Sequence, residues 1–190
     1  MGALIRAEKN RAAAVTEDDE VMGQQYLTFL VGKELFAMGI ADIKEIIEYK
    51  APTSVPMMPS YLHGVINLRG RVVPVVDLMV RFGRKSTEIS RRTCIVILEL
   101  YHNDEQQYLG VVVDAVKAVM DIADADVEPP PSFGSKLRND FVSGMGKING
   151  EFVIILDINH VLSIDELSLM TELGSSSLTS AENDDPALLE

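Results

Sequence analysis

Tryptophan is missing from the 190 residues, cysteine occurs once and histidine three times. With Cys94 alone, no internal disulfide can form, which fits a reducing compartment and excludes a disulfide-stapled scaffold. No apolar run approaches the roughly 20 residues that a membrane-spanning helix needs. Basic residues are scarce, 17 Lys+Arg against 29 Asp+Glu, for a net charge of -12. Nucleic acid and anionic membrane surfaces repel such a chain. The stretch from Met1 to Arg11 lacks the long apolar core of a signal peptide. Met1-Gly2 opens like a myristoylation site, but Arg6 stands where Ser or Thr is needed. A cytoplasmic protein without direct membrane insertion is expected.

Catalytic arrangements are also wanting. His63, His102 and His160 lie far apart in sequence, and none has a Cys, His or Glu at metal-ligand spacing. Cys94 sits in Thr93-Cys94-Ile95-Val96-Ile97-Leu98, a run that buries a thiol rather than activating it. Asp121, Asp124, Asp126 and Glu128 suggest a calcium loop, but Val127 and Pro129 break the pattern and no Gly makes its sharp turn. Gly144-x-Gly146 and Gly150 have neither dinucleotide nor phosphate-loop spacing. No cofactor, metal or catalytic residue is expected, which leaves binding as the occupation.

What is present is β structure. Hydrophobic residues make up 47%, enough for a packed core, and Val, Ile and Leu dominate them. Strand-like runs cover Gln25–Val31, Leu35–Gly39, Val65–Leu68, Val72–Val76, Thr93–Leu100, Tyr108–Val113, Ala115–Met120, Gly144–Ile148 and Phe152–Leu156. Lys33, Asn103-Asp104, Arg69-Gly70 and Asn149-Gly150 mark turns, the last two as tight hairpins. Short helices are expected over Asp42–Ile47, after Asp157 to Val161, and from a capping box at Ser163 and Glu166 to about Leu173. The polar, basic stretch from Arg81 to Arg92 connects two halves.

The chain repeats itself. Tyr61-Leu62-x-Gly64, Gly70, Val73 and Val76-Asp77-Leu78 return 80 positions later as Phe141-Val142-x-Gly144, Gly150, Val153 and Leu156-Asp157-Ile158. Leu35 through Glu48 likewise resembles Tyr108 through Asp121, shifted by 73. Asp77 and Asp157 are equivalent and should each cap a local turn, which argues against a paired-carboxylate site. Preserved block order points to two similar small barrels, which close their edges and share a hydrophobic junction. The expected layout is a flexible tail over 1–22, a first barrel over 23–88, a second over 89–160, a C-terminal helix over 161–173 and a disordered acidic tail over 174–190.

The run Gly64-Val65-Ile66-Asn67-Leu68-Arg69-Gly70-Arg71-Val72-Val73-Pro74-Val75-Val76-Asp77-Leu78 resembles the hallmark of the CheW family. Its flanks match in order: Gln25-Tyr26-Leu27-x-Phe29, Ile43-x-Glu45-Ile46, Gly110-x-Val112-Val113-Asp114-x-Val116 and Ile155-Leu156-Asp157-Ile158. The resemblance covers roughly residues 24–170. It implies two five-stranded SH3-like β-barrels with a hydrophobic junction. It also implies a non-enzymatic scaffold recruited to membrane-associated chemoreceptor arrays. The implied partners are the cytoplasmic hairpin tip of chemoreceptors, the regulatory domain of the CheA histidine kinase, and other copies of the chain in array rings.

The resemblance marks Ile43, Glu45, Arg69 and Val119 as candidate receptor-binding residues. An apolar groove with a few charges suits a helical hairpin. Core packing is the competing account for Ile43 and Val119, a solvated face for Glu45, and a structural clamp for Arg69. Gly64, Asn67 and Gly70 are candidate turn residues. A CheV-like adaptor portion, a detached kinase regulatory domain and an enzyme on this fold remain as rivals.

Overall fold

A computed structural model describes residues 23–102, 105–130, 141–148 and 150–161. The expected tails over 1–22 and 174–190, the Asn103-Asp104 turn, Asn149 and the helix after Val161 lie outside the described residues. Among the described residues eleven strands form two sheets. They are β1 Gly23–Val31, β2 Glu34–Gly39, β3 Ile43–Glu48, β4 Leu62–Leu68, β5 Arg71–Asp77, β6 Cys94–His102, β7 Glu105–Val113, β8 Ala115–Ala123, β9 Val127–Glu128, β10 Val142–Ile148 and β11 Glu151–Leu156. Two four-residue helices, α1 Leu78–Arg81 and α2 Ile158–Val161, follow β5 and β11.

The strands are where alternation and turn residues put them, with one correction. Asp42–Ile47 is not helical: a single 3-10 turn over Ile40–Asp42 leads straight into β3. Ile43, Ile46 and Ile47 have helical spacing, but β-branched side chains favour a pleated surface. Pairing with β6 decides the matter, with a bulge at Lys44 absorbing the irregular spacing.

One sheet has the order β3-β6-β7-β5-β4 and the other β8-β1-β2-β11-β10-β9. The boundary expected near residue 88 is therefore not a sheet boundary. By the sequence repeat, β1–β5 form a first unit and β6–β11 a second. Each sheet takes the leading hairpin of one unit and the later strands of the other. The β6–β7 hairpin sits between β3 and β5, and the β1–β2 hairpin between β8 and β11. Periodicity reports which residues are strands but not which unit's strands they pair with, so the exchange is invisible in a linear reading.

The exchange is reciprocal down to the register. The parallel pair Val75↔Gly110 is repeated as Ile155↔Ala37. The bulge between Ile43 and Glu45 recurs opposite Thr28 and Phe29 of β1, and that between Leu62 and Gly64 recurs between Val142 and Gly144. Closure is matched too. Thr53, beyond β3, bridges Val65 of β4, while β9, beyond β8, pairs with Gly146 and Met145 of β10.

Three apolar clusters follow from this plan. Val73, Val75, Ile95, Ile97 and Val112 fill one barrel, and Tyr26, Ala37, Ile122, Val153 and Ile155 the other. Between them lies the largest, with Phe29, Phe36, Met38, Leu78, Leu98 and Leu109 buried from both sheets. Each such aliphatic side chain contributes roughly 1.5–3 kcal/mol on burial. Phe29, Phe36, Phe82 and Phe141 run through this junction as a chain of rings with centroids 6.2, 5.5 and 6.0 Å apart.

Candidate functional site

The β4–β5 hairpin carries four of the candidates. Leu68 pairs with Arg71, so Arg69 and Gly70 alone make the turn. Their φ values of 52° and 86° are those of a type I′ turn, whose twist matches that of the strands. Arg69 is thus held in a left-handed conformation that a side chain resists. The Asn67 Oδ1 accepts a 2.8 Å hydrogen bond from the Gly70 N–H and helps hold it there. The Arg69 side chain is 78% exposed, and its Nη2 lies 2.9 Å from the Glu45 Oε2. Glu45 is on β3, at the opposite edge of the same sheet. The pair therefore spans the seam where the first barrel closes.

Gly64 has a different task. Its φ is +137°, and a Cβ there would lie 2.2 Å from the carbonyl oxygen of Thr53. Thr53 and Val65 exchange hydrogen bonds of 2.8 and 2.9 Å beside it. Only glycine lets the closing segment approach this closely.

Ile43 opens β3 and is half-buried against the junction cluster. Core packing accounts for it. Val119 lies on β8 in the other sheet, opposite Leu27, and is 46% exposed. Its counterpart in the repeat is Ile46, at 43%. The structure thus joins Glu45, Asn67, Arg69 and Gly70 at one seam, packs Ile43 against the junction, and leaves Val119 on the second barrel.

Three features escaped the sequence reading. Met57 is fully exposed at φ 61°, held out between Pro56 and Pro59. The flanking prolines were the sequence signal for this turn. Arg81 lies over the rings of Tyr61 and Phe141, at 4.4 and 5.1 Å, and its Nε donates to the Val161 carbonyl at 2.7 Å.

The third is the set of further bonds made by Asp77, which is wholly buried at the end of β5. It caps α1 as expected, accepting from the Met79 N–H at 2.9 Å. It also accepts from the Thr87 N–H, the Thr87 hydroxyl and the Ser86 hydroxyl at 2.9, 3.0 and 2.7 Å. The His63 Nε2 stands 3.2 Å from its Oδ2. Burial pushes the carboxyl pKa up, but the Thr87 and Ser86 hydrogen bonds and His63 together hold it below the ordinary aspartate value. The trio of Asp77, His63 and Ser86 is not a proton relay. One ring nitrogen, Nε2, faces both the carboxylate and the Ser86 Oγ, at 3.2 and 3.0 Å. A relay needs the base to bond its orienting acid through the other nitrogen. The cluster is a clamp on the stretch between Arg81 and Arg92.

No group of three or more potential metal ligands occurs among the described residues, and no helix among them is long and apolar enough to cross a membrane. The family model of the CheW-like domain matches residues 25–166. The chain is 31% identical over 157 residues to the chemotaxis protein CheW of Klebsiella aerogenes, covering 83% of this chain and 92% of that one. With the chemotaxis protein CheW of Helicobacter pylori it shares 32% over 162 residues, 85% of this chain and 95% of that one. The crystal structure of the scaffolding protein TtCheW from Thermoanaerobacter tengcongensis superposes with a TM-score of 0.67 at 31% identity, over 76% of this chain and 91% of that one. On sequence and fold together, the chain belongs to the family of CheW-like domain proteins.

Proposed function

We propose that this chain is a cytoplasmic, non-enzymatic scaffold that couples chemoreceptor tips to the CheA histidine kinase in chemotaxis signalling. The match over residues 25–166 carries this reading. The polar clusters described support it, since they serve as clamps and caps. The receptor hairpin is assigned to the Glu45–Arg69 seam of the first barrel, with the exposed Val119 of the second barrel as a separate contact and Ile43 packed in the junction between them. A helical hairpin offers carbonyls and carboxylates to a guanidinium fork and apolar side chains to Val119. The regulatory domain of CheA, itself of this fold type, is assigned to the barrel ends, as are other copies of the chain in array rings.

Calorimetric titration of the full chain with the CheA regulatory domain, and then with a receptor-tip hairpin, tests the reading. Saturable binding to both is expected. Arg69→Ala and Val119→Asp should each weaken the tip complex about tenfold, equivalent to about 1.4 kcal/mol, and leave the kinase complex unchanged. Folded protein that binds neither partner at high micromolar concentration would refute the scaffold. Loss of kinase binding alone in these variants would move the receptor site elsewhere.

A further inference from the structure

Each barrel is incomplete without the other half of the sequence. The pairings that join the leading hairpins to the later strands are β1 with β8, β2 with β11, β3 with β6 and β5 with β7. All four run between the first unit and the second. Between the two units the chain makes one passage, the connector from Gly83 to Arg92. Neither unit holds a closed sheet of its own, and each presents the other with two strand edges and the apolar junction.

From this topology we propose that two copies of the chain can exchange halves, the first unit of one completing both barrels with the second unit of the other. Every strand pairing and every apolar contact within the barrels would then be kept, with only the connector changing its path. The exchanged pair needs no new interface, which makes this kind of assembly inexpensive. Two things hold the single chain closed. One is the tether, which supplies the second unit at an effective concentration on the order of millimolar. The other is the Asp77 clamp, whose bonds to Ser86 and Thr87 fix the connector against the first unit. Exchange is therefore expected where chains fold at concentrations that rival the tether, and more readily once the clamp is cut.

The native thiol provides a direct test. Glu48 of β3 and Cys94 of β6 are register partners across the two units. Paired strand positions stand about 4.5–5.5 Å apart at Cα, within disulfide reach. A chain carrying both Glu48→Cys and native Cys94 should form the bond internally under oxidised glutathione, which confirms the pairing. A chain carrying Glu48→Cys with Cys94→Ser is then mixed with the wild-type chain in two ways. The chains are either denatured and refolded together at about 1 mM, or folded separately and then mixed. Exchange predicts a disulfide-linked heterodimer from co-refolding, severalfold above the level after separate folding. Its yield should rise with concentration and rise again in Thr87→Val. Folded protein with no such species, or with equal yield by both routes, would overturn the proposal, since chance collision does not depend on folding history.

Discussion

Asp77 and Asp157 occupy the same place in the two repeats, yet only one of them is sealed in. Both backbone N–H groups donate to the carbonyl of the aromatic residue just before the preceding strand, Tyr61 or Phe141, at 2.9 Å. Both carboxylates cap the next helical turn, through Met79 and Asn159. Around Asp77 the chain then folds back and closes with Ser86 and Thr87. Asp157 stays partly exposed, with His160 Nδ1 at 2.9 Å from its own helix. One backbone frame thus supports a clamp in the first repeat and a simple cap in the second. The backbone geometry is the same in both repeats, and the side-chain work is divided unevenly between them.

The largest test of that unevenness is at the paired glycines. Gly64→Ala drives a Cβ into a backbone carbonyl in a left-handed conformation and should cost roughly 3 kcal/mol. At Gly144 the nearest obstacle is a side-chain atom, Val127 Cγ1 at 2.7 Å. Gly144→Ala should therefore cost only about 1–2 kcal/mol. Urea unfolding of both variants reads the difference, and equal losses would show that the two closures are not distinct in strength.

Next come the aspartates. Asp77→Ala strands several donors and should cost about 2–4 kcal/mol, against about 1 kcal/mol for Asp157→Ala. Acid sharpens this contrast. The folded Asp77 carboxyl titrates below its unfolded value, so its stabilisation is present above the ordinary aspartate pKa and is lost as pH falls through the folded one. Unfolding free energy followed from pH 6 downward should drop less steeply in Asp77→Asn than in the wild type. An unchanged acid limb would remove Asp77 from the account.

Smallest in stability is the seam ion pair. With Arg69 so exposed, Arg69→Ala should change stability by less than about 1 kcal/mol by chemical denaturation. A larger loss would make the pair a structural clamp instead of a contact for partners.

Most strands, the tight Arg69-Gly70 hairpin and the repeat were readable because period-two apolar runs and Gly-containing turns leave local marks. Asp42–Ile47 was misread because three isoleucines at spacings of three and four fit a helix face as well as a bulged strand. The hairpin exchange could not be read, since both units carry the same pattern and either could pair with either. Asp77 was recognisable as a cap. Its clamp was not, because Ser86 and Thr87 sit nine and ten residues away in a polar stretch that reads as a connector. At the candidate site, Glu45 and Arg69 were singled out separately, and only closure of the barrel reveals them as partners.

Arg81 has a consequence of another kind. It rests against Tyr61 and Phe141, which are repeat counterparts, and bonds to Val161, its own counterpart. It therefore stands where the pseudo-twofold axis passes through the molecule. An axis has room for one side chain, and the second repeat carries Val161 at the matching position. Filling that place once makes the two repeats unequal at their shared boundary, where one gives a guanidinium and the other a backbone carbonyl.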